Sequence, residues 1–227
     1  MRIRLLITAL ASALLTACGQ VDYDAAPVGR FDGSLLVMWV GENTSGSGDG
    51  RFVFVPSPNR PLTFIRKNPD ATLPKIQPEM MYTDGGSIPR PVQLFNGFSP
   101  WGYAPAYMVH DWIFVARHCL TDGKPTKAEK PVAAMKFPES AEVIAEAIKT
   151  LVAEERVQKN DVAPPVISGA VAGPISYRRW VVKGACEGDR VTADHRKEAE
   201  EALARRTGRG IFRTDVTPAR IIAEITF

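Results

Sequence analysis

Histidine and cysteine are scarce, with three of each in 227 residues, and the scarcity limits the chemistry open to the chain. No two cysteines stand in a C-x-x-C pair, so a zinc ribbon or finger is excluded. Charge of one sign is also lacking. Twenty-eight basic residues face 25 acidic ones, a net charge of +3, which is no footprint for nucleic acid. No apolar run reaches the roughly 20 residues that a membrane-spanning helix needs. No internal repeat is present, which removes solenoids and propellers. The chain also lacks the series of ten-residue strands that an outer-membrane barrel requires.

What is present begins at the amino end. Arg2 and Arg4 precede an almost unbroken apolar stretch over residues 5–15, interrupted only by Thr8 and Ser12. A short basic stretch followed by a short apolar one is the pattern of a secretory leader. Leu15, Thr16, Ala17 and Cys18 follow directly. This run resembles the lipobox of bacterial lipoproteins, in which small residues admit the peptidase and the cysteine sulfur carries diacylglycerol. The resemblance implies removal of residues 1–17, lipidation of Cys18 and stable anchoring without a transmembrane helix. Gly19 stands where an aspartate commonly retains lipoproteins in the inner membrane. The periplasmic face of the outer membrane is therefore the favoured site in a Gram-negative cell. Loss of Arg2 and Arg4 brings the net charge to about +1. Cys119 and Cys186 would then remain in an oxidising compartment, either as a disulfide or as two buried thiols.

Residues 18–30 read as a polar tether. Strand-like stretches follow at 34–40, 51–55 and 62–65, and a glycine- and serine-rich loop joins the first two. Six prolines between residues 56 and 78 argue against long helices there. The middle is helical. Residues 103–119 are apolar on most sides, with Pro105 suited to the first turn. Val143, Ile144, Ala147, Ile148, Leu151 and Val152 recur at three- and four-residue spacing over residues 140–159. A third helix is expected over 166–182, interrupted by Gly169, Gly173 and Pro174. A polar helix over 192–206 is capped by Thr192 and stopped near Gly208, and residues 221–227 form a short strand. The expected fold is α+β: an amino-terminal antiparallel β layer on a bundle of about three helices, with a small helical carboxyl extension. In domain terms, residues 31–186 form one α+β unit and residues 187–227 the extension.

The chemistry concentrates in two runs. The first is Thr83, Asp84, Gly85, Gly86, Ser87, Ile88, Pro89 and Arg90, a tight turn in which Asp84 and Ser87 can bond backbone N–H groups. The second sets His110 and Asp111 side by side within an apolar helix, followed by Trp112. Successive helical residues point about 100° apart, so the two line different walls of one pocket. Neither can be buried without a partner.

These runs, with the lead-in Pro100, Trp101, Gly102 and Tyr103, resemble the domain of unknown function 1353 family over roughly residues 31–183. That family occurs in phage and bacterial genomes and implies no established activity. Its wording differs at Gly85, Gly86 and Phe114, and Glu142 stands where the family usually carries aspartate.

Two functional readings follow. In the first, Asp84, Ser87, Arg90, His110 and Asp111 bind a polar envelope ligand or protein, or Asp84 and Asp111 hold a divalent cation such as calcium. The same residues could instead form only a buried network that fixes the fold. In the second, the His-Asp doublet is similar to that of secreted phospholipases A2. This implies His110 as general base, Asp111 as calcium ligand and Glu142 as the acid that orients the imidazole. His118 reads as a cation suited to its helix end, and His195 as solvated.

Overall fold

The computed structural model describes residues 21–41, 50–83, 101–159, 162–208 and 217–227. The chain is an α+β protein with antiparallel sheets. After β1 (Arg30–Asp32) come β2 (Ser34–Val40) and β3 (Arg51–Pro56), which pair antiparallel with Leu36 opposite Val55 and Met38 opposite Val53. Next are β4 (Thr63–Ile65), β5 (Lys75–Ile76) and β6 (Met81–Thr83). The order β1-β4-β5 makes a small sheet. The larger sheet has the order β6-β3-β2-β7, with β7 (Arg220–Thr226) returning from the far end of the chain.

Both faces of β2 are apolar, and side chains alternate across a strand, so the larger sheet needs cover on two sides. Leu35 and Val37 face the main core, with Phe54 of β3. Leu36, Met38 and Val40 face a second core with Val53 and Val55. The main core is covered by α1 (Ala104–Thr121) packed against α2 (Phe137–Ala153). Pro105 lies in the first turn of α1, and Val143, Ile144, Ala147, Ile148 and Leu151 form the buried face of α2.

The helix expected over 166–182 is two helices, α3 (Ala163–Val171) and α4 (Pro174–Trp180). Gly173 is the N-cap of α4 and Pro174 its first residue, where the missing N–H costs little. The short α5 (Cys186–Asp189) follows, joined to α1 by a disulfide between Cys119 and Cys186 with Cα atoms 4.6 Å apart. The polar helix α6 (Ala193–Thr207) has the expected Thr192 cap, whose side chain accepts from the His195 N–H. It ends at Gly208 in the left-handed conformation, φ 63°.

Two parts of the chain are arranged differently from the sequence reading. Residues 187–208 and 217–227, expected within a small carboxyl extension, pack on the larger sheet through α6 and β7. Ala199 and Ala202 of α6 close the second core, and β7 pairs with β2 along its length. The sheet recruits them because the second face of β2 would otherwise expose Leu36, Met38 and Val40. Residues 21–29, expected to be tether, are docked. Tyr23 packs on the main core, Lys149 Nζ donates to the Tyr23 and Asp24 carbonyls, and the Gly29 N–H donates to Thr150 Oγ1. A Cβ on Gly29 would lie 2.6 Å from the Ile65 carbonyl oxygen, so only glycine admits this approach.

Candidate functional site

The i, i+3, i+4 geometry of α1 lines up Tyr103, Tyr107, His110, Asp111 and Phe114 as one stripe. The Tyr103 and Tyr107 rings meet edge-on at 6.2 Å, and His110 leans on Phe114 at 4.9 Å. Tyr107 and His110 are buried, whereas the Asp111 side chain is 43% exposed. His110 and Asp111 touch: Nδ1 lies 3.3 Å from Asp111 Oδ1. In the tautomer in which that nitrogen donates to the carboxylate, the lone pair is on Nε2. His110 Nε2 and the Tyr107 hydroxyl are buried, and neither has a hydrogen-bond partner among the described residues. Burial pushes the Tyr107 phenol well up from its ordinary range, with Tyr103 and the Asp111 charge adding to it. Burial likewise raises Tyr103, and it pushes Tyr23 up to about 12 with help from Tyr103 and Asp24. These phenols therefore stay neutral and serve as hydrogen-bonding groups.

The remaining site candidates lie elsewhere. Asp84, Ser87 and Arg90 fall outside the described residues, as does Cys18. Glu142 is on α2, 3.9 Å from the Arg66 guanidinium and 3.5 Å from Asn68 Nδ2, and it makes no hydrogen bond to His110. The group at the imidazole Nδ1 is the adjacent Asp111, so the orienting role expected for Glu142 is not supported. Burial raises the Glu142 carboxyl, partly opposed by Arg66. Among the described residues, no three His, Cys, Asp or Glu side chains are grouped to hold a metal ion.

Three polar arrangements escaped the sequence reading. Arg66, just past β4, is buried and donates through Nε and Nη2 to both oxygens of the equally buried Glu146, at 2.9 and 2.7 Å. Its Nη1 donates to Glu139, which also accepts from the Thr72 backbone and hydroxyl. The bonds to Glu146 and Glu139 outweigh burial and raise the Arg66 guanidinium further. The signal was in the spacing: Glu139, Glu142 and Glu146 fall three and four residues apart on one helix face, which calls for a cation opposite. His118, read as a cation at its helix end, is buried. Nδ1 faces the Asp189 carboxylate and Nε2 faces the Arg179 carbonyl, each at 2.5 Å. His195, expected to be solvated, holds the Tyr82 hydroxyl at 2.7 Å, and the Arg51 guanidinium lies over that tyrosine ring at 3.3 Å.

No helix among the described residues is long and apolar enough to cross a membrane. Comparison of the chain with protein-family models, curated proteins and solved structures found no match to any of them.

Proposed function

We propose that this is a lipid-anchored cell-envelope protein, lipidated on Cys18 at the periplasmic face of the outer membrane. In this reading its domain resembles the domain of unknown function 1353 family and binds a polar envelope ligand at the α1 stripe. One observation carries it: two buried polar atoms on adjacent turns of α1, the Tyr107 hydroxyl and His110 Nε2, have no partner among the described residues. A buried polar group left unmatched costs about 1–3 kcal/mol, and such costs are commonly retained where a ligand supplies the missing bond. Nε2 accepts and the phenol both donates and accepts, so the stripe suits a hydroxyl-bearing ligand such as an envelope saccharide. Asp84, Ser87 and Arg90 are proposed to add to the site.

The test is thermal melting with a panel of soluble cell-wall and lipopolysaccharide-core saccharides. A bound ligand raises the Tm of the unsubstituted protein by linkage. Tyr107→Phe should leave the ligand-free Tm equal or higher, because it removes a buried hydroxyl that has no partner among the described residues, and should remove the ligand-induced rise. A Tyr107→Phe protein that melts lower without ligand would show the hydroxyl to be structural and sink the reading. Calcium alone tests the cation version, in which Asp84 and Asp111 are ligands: a rise abolished by Asp111→Asn supports it.

A second reading, hydrolysis, draws on the His110–Asp111 contact. An imidazole with Nδ1 on a carboxylate and a lone pair on Nε2 can take a proton from water or an alcohol. It requires an activity that His110→Gln abolishes while the Tm stays within about 2 °C of the parent.

A further inference from the structure

Nine large apolar side chains are exposed among the described residues, and six of them fall in one stretch: Val162, Val166, Ile175, Tyr177, Val181 and Val182. Ile175 is 76% exposed, the highest of the nine. Over residues 162–186 the chain carries Arg178, Arg179 and Lys183 and no aspartate or glutamate. All three bases are exposed. Helix α4 already buries one side through Trp180, which packs on Phe114 and Phe137, and α3 buries Ile167 against the main core. The opposite sides of these helices are where a water-facing helix carries charge of both signs. Here they carry mainly apolar side chains and, among charged groups, cations only.

We propose that α3, α4 and the turn to Lys183 form a face that docks on an anionic lipid bilayer. Val166, Ile175, Val181 and Val182 would enter the boundary between headgroups and acyl chains, with Arg178, Arg179 and Lys183 on the lipid phosphates. Charge favours a bilayer over a second copy of the chain, because two such faces would bring only like charges together. Position favours it too, in a step that rests on the Cys18 reading. The docked segment starts at Val21, three residues after Cys18, and three residues reach about 10 Å at most. A lipid on Cys18 therefore holds the body close to the membrane. Both Tyr23 and α3 pack beside α2.

The experiment reads the face directly. In the full chain carrying Cys18→Ser, Cys119 and Cys186 are joined to each other, so a thiol introduced by Ile175→Cys takes an environment-sensitive fluorophore alone. Glu200→Cys on α6 gives the control. Phosphatidylglycerol vesicles should blue-shift the label at 175 and leave the label at 200 unchanged, and phosphatidylcholine vesicles should shift neither. Combining Arg178→Glu, Arg179→Glu and Lys183→Glu should lower partitioning at least about tenfold. Raised ionic strength should weaken binding of the parent without altering its fold. An unshifted label at 175, equal shifts at 175 and 200, or an equal shift on phosphatidylcholine would overturn the proposal. So would a concentration-dependent shift without vesicles, which would mean that the face pairs copies of the chain. The anchor reading fails separately: the native chain would then show by mass no lipid on Cys18, whatever the label at 175 reports.

Discussion

At the scale of single residues, His118 is the clearest titrating group. Both ring nitrogens face acceptors, the Asp189 carboxylate and the Arg179 carbonyl, so only the imidazolium donates to both. Burial pulls its pKa down, but the bonds to Asp189 and Arg179 and the Asp189 charge together raise it, against a smaller opposing effect of the Arg179 charge. A histidine whose folded pKa lies above the unfolded value stabilises fully below the unfolded value and loses that contribution as pH rises through the folded one. Tm plotted against pH for the parent and His118→Gln should therefore be furthest apart below the unfolded pKa of about 6.5 and draw together as pH rises through the higher folded value. Parallel curves across that range would rule the charged form out. The sequence alone set His118 at a helix end, but it could not show that α4 and α5 close over the ring, because those contacts lie 61 and 71 residues away.

At the scale of elements, the loop after β4 is held to α2 by the buried Arg66–Glu146 pair. Removing Arg66 leaves the buried Glu146 carboxylate without a cation, which costs about 3–5 kcal/mol, whereas removing Glu146 leaves Arg66 still bonded to Glu139. Arg66→Met should therefore lower urea-denaturation stability by about that amount, while Arg66→Met with Glu146→Leu together should recover most of it. A single variant that costs less than about 1 kcal/mol would show that water reaches the pair. Helices and strands were largely legible, because α2 repeats its apolar residues at helical spacing and β2 and β3 are runs of β-formers. The ion network was not, because Arg66 and Glu146 are 80 residues apart and periodicity says nothing about partners. The α3–α4 break was half legible: Gly173 and Pro174 marked it, yet the apolar pattern runs through both.

At the scale of the whole molecule, the part of the chain that looked most peripheral closes the structure. Strand β7 is the neighbour of β2, the Phe227 ring stacks on Phe31 at 4.9 Å, and its N–H donates to the Gly33 carbonyl. Ending the chain before residue 217 should open the edge of β2 and expose its apolar residues. Size-exclusion chromatography should then show aggregate in place of a single folded species, and a monodisperse truncated chain would show that β7 is dispensable. The candidate site was legible only as a doublet. That His110 and Asp111 share a stripe with Tyr107 follows from helical spacing, but that Nε2 finds no bond among the described residues follows only from the packing around it.

The pairing of β2 with β7 also has a bearing on how the chain folds. Strand β2 can join β3 across a single loop, but its other side stays open until the distant β7 is brought back to it. A sheet that depends on such distant partners folds slowly. Until β7 arrives, that open side must be kept from pairing with another chain.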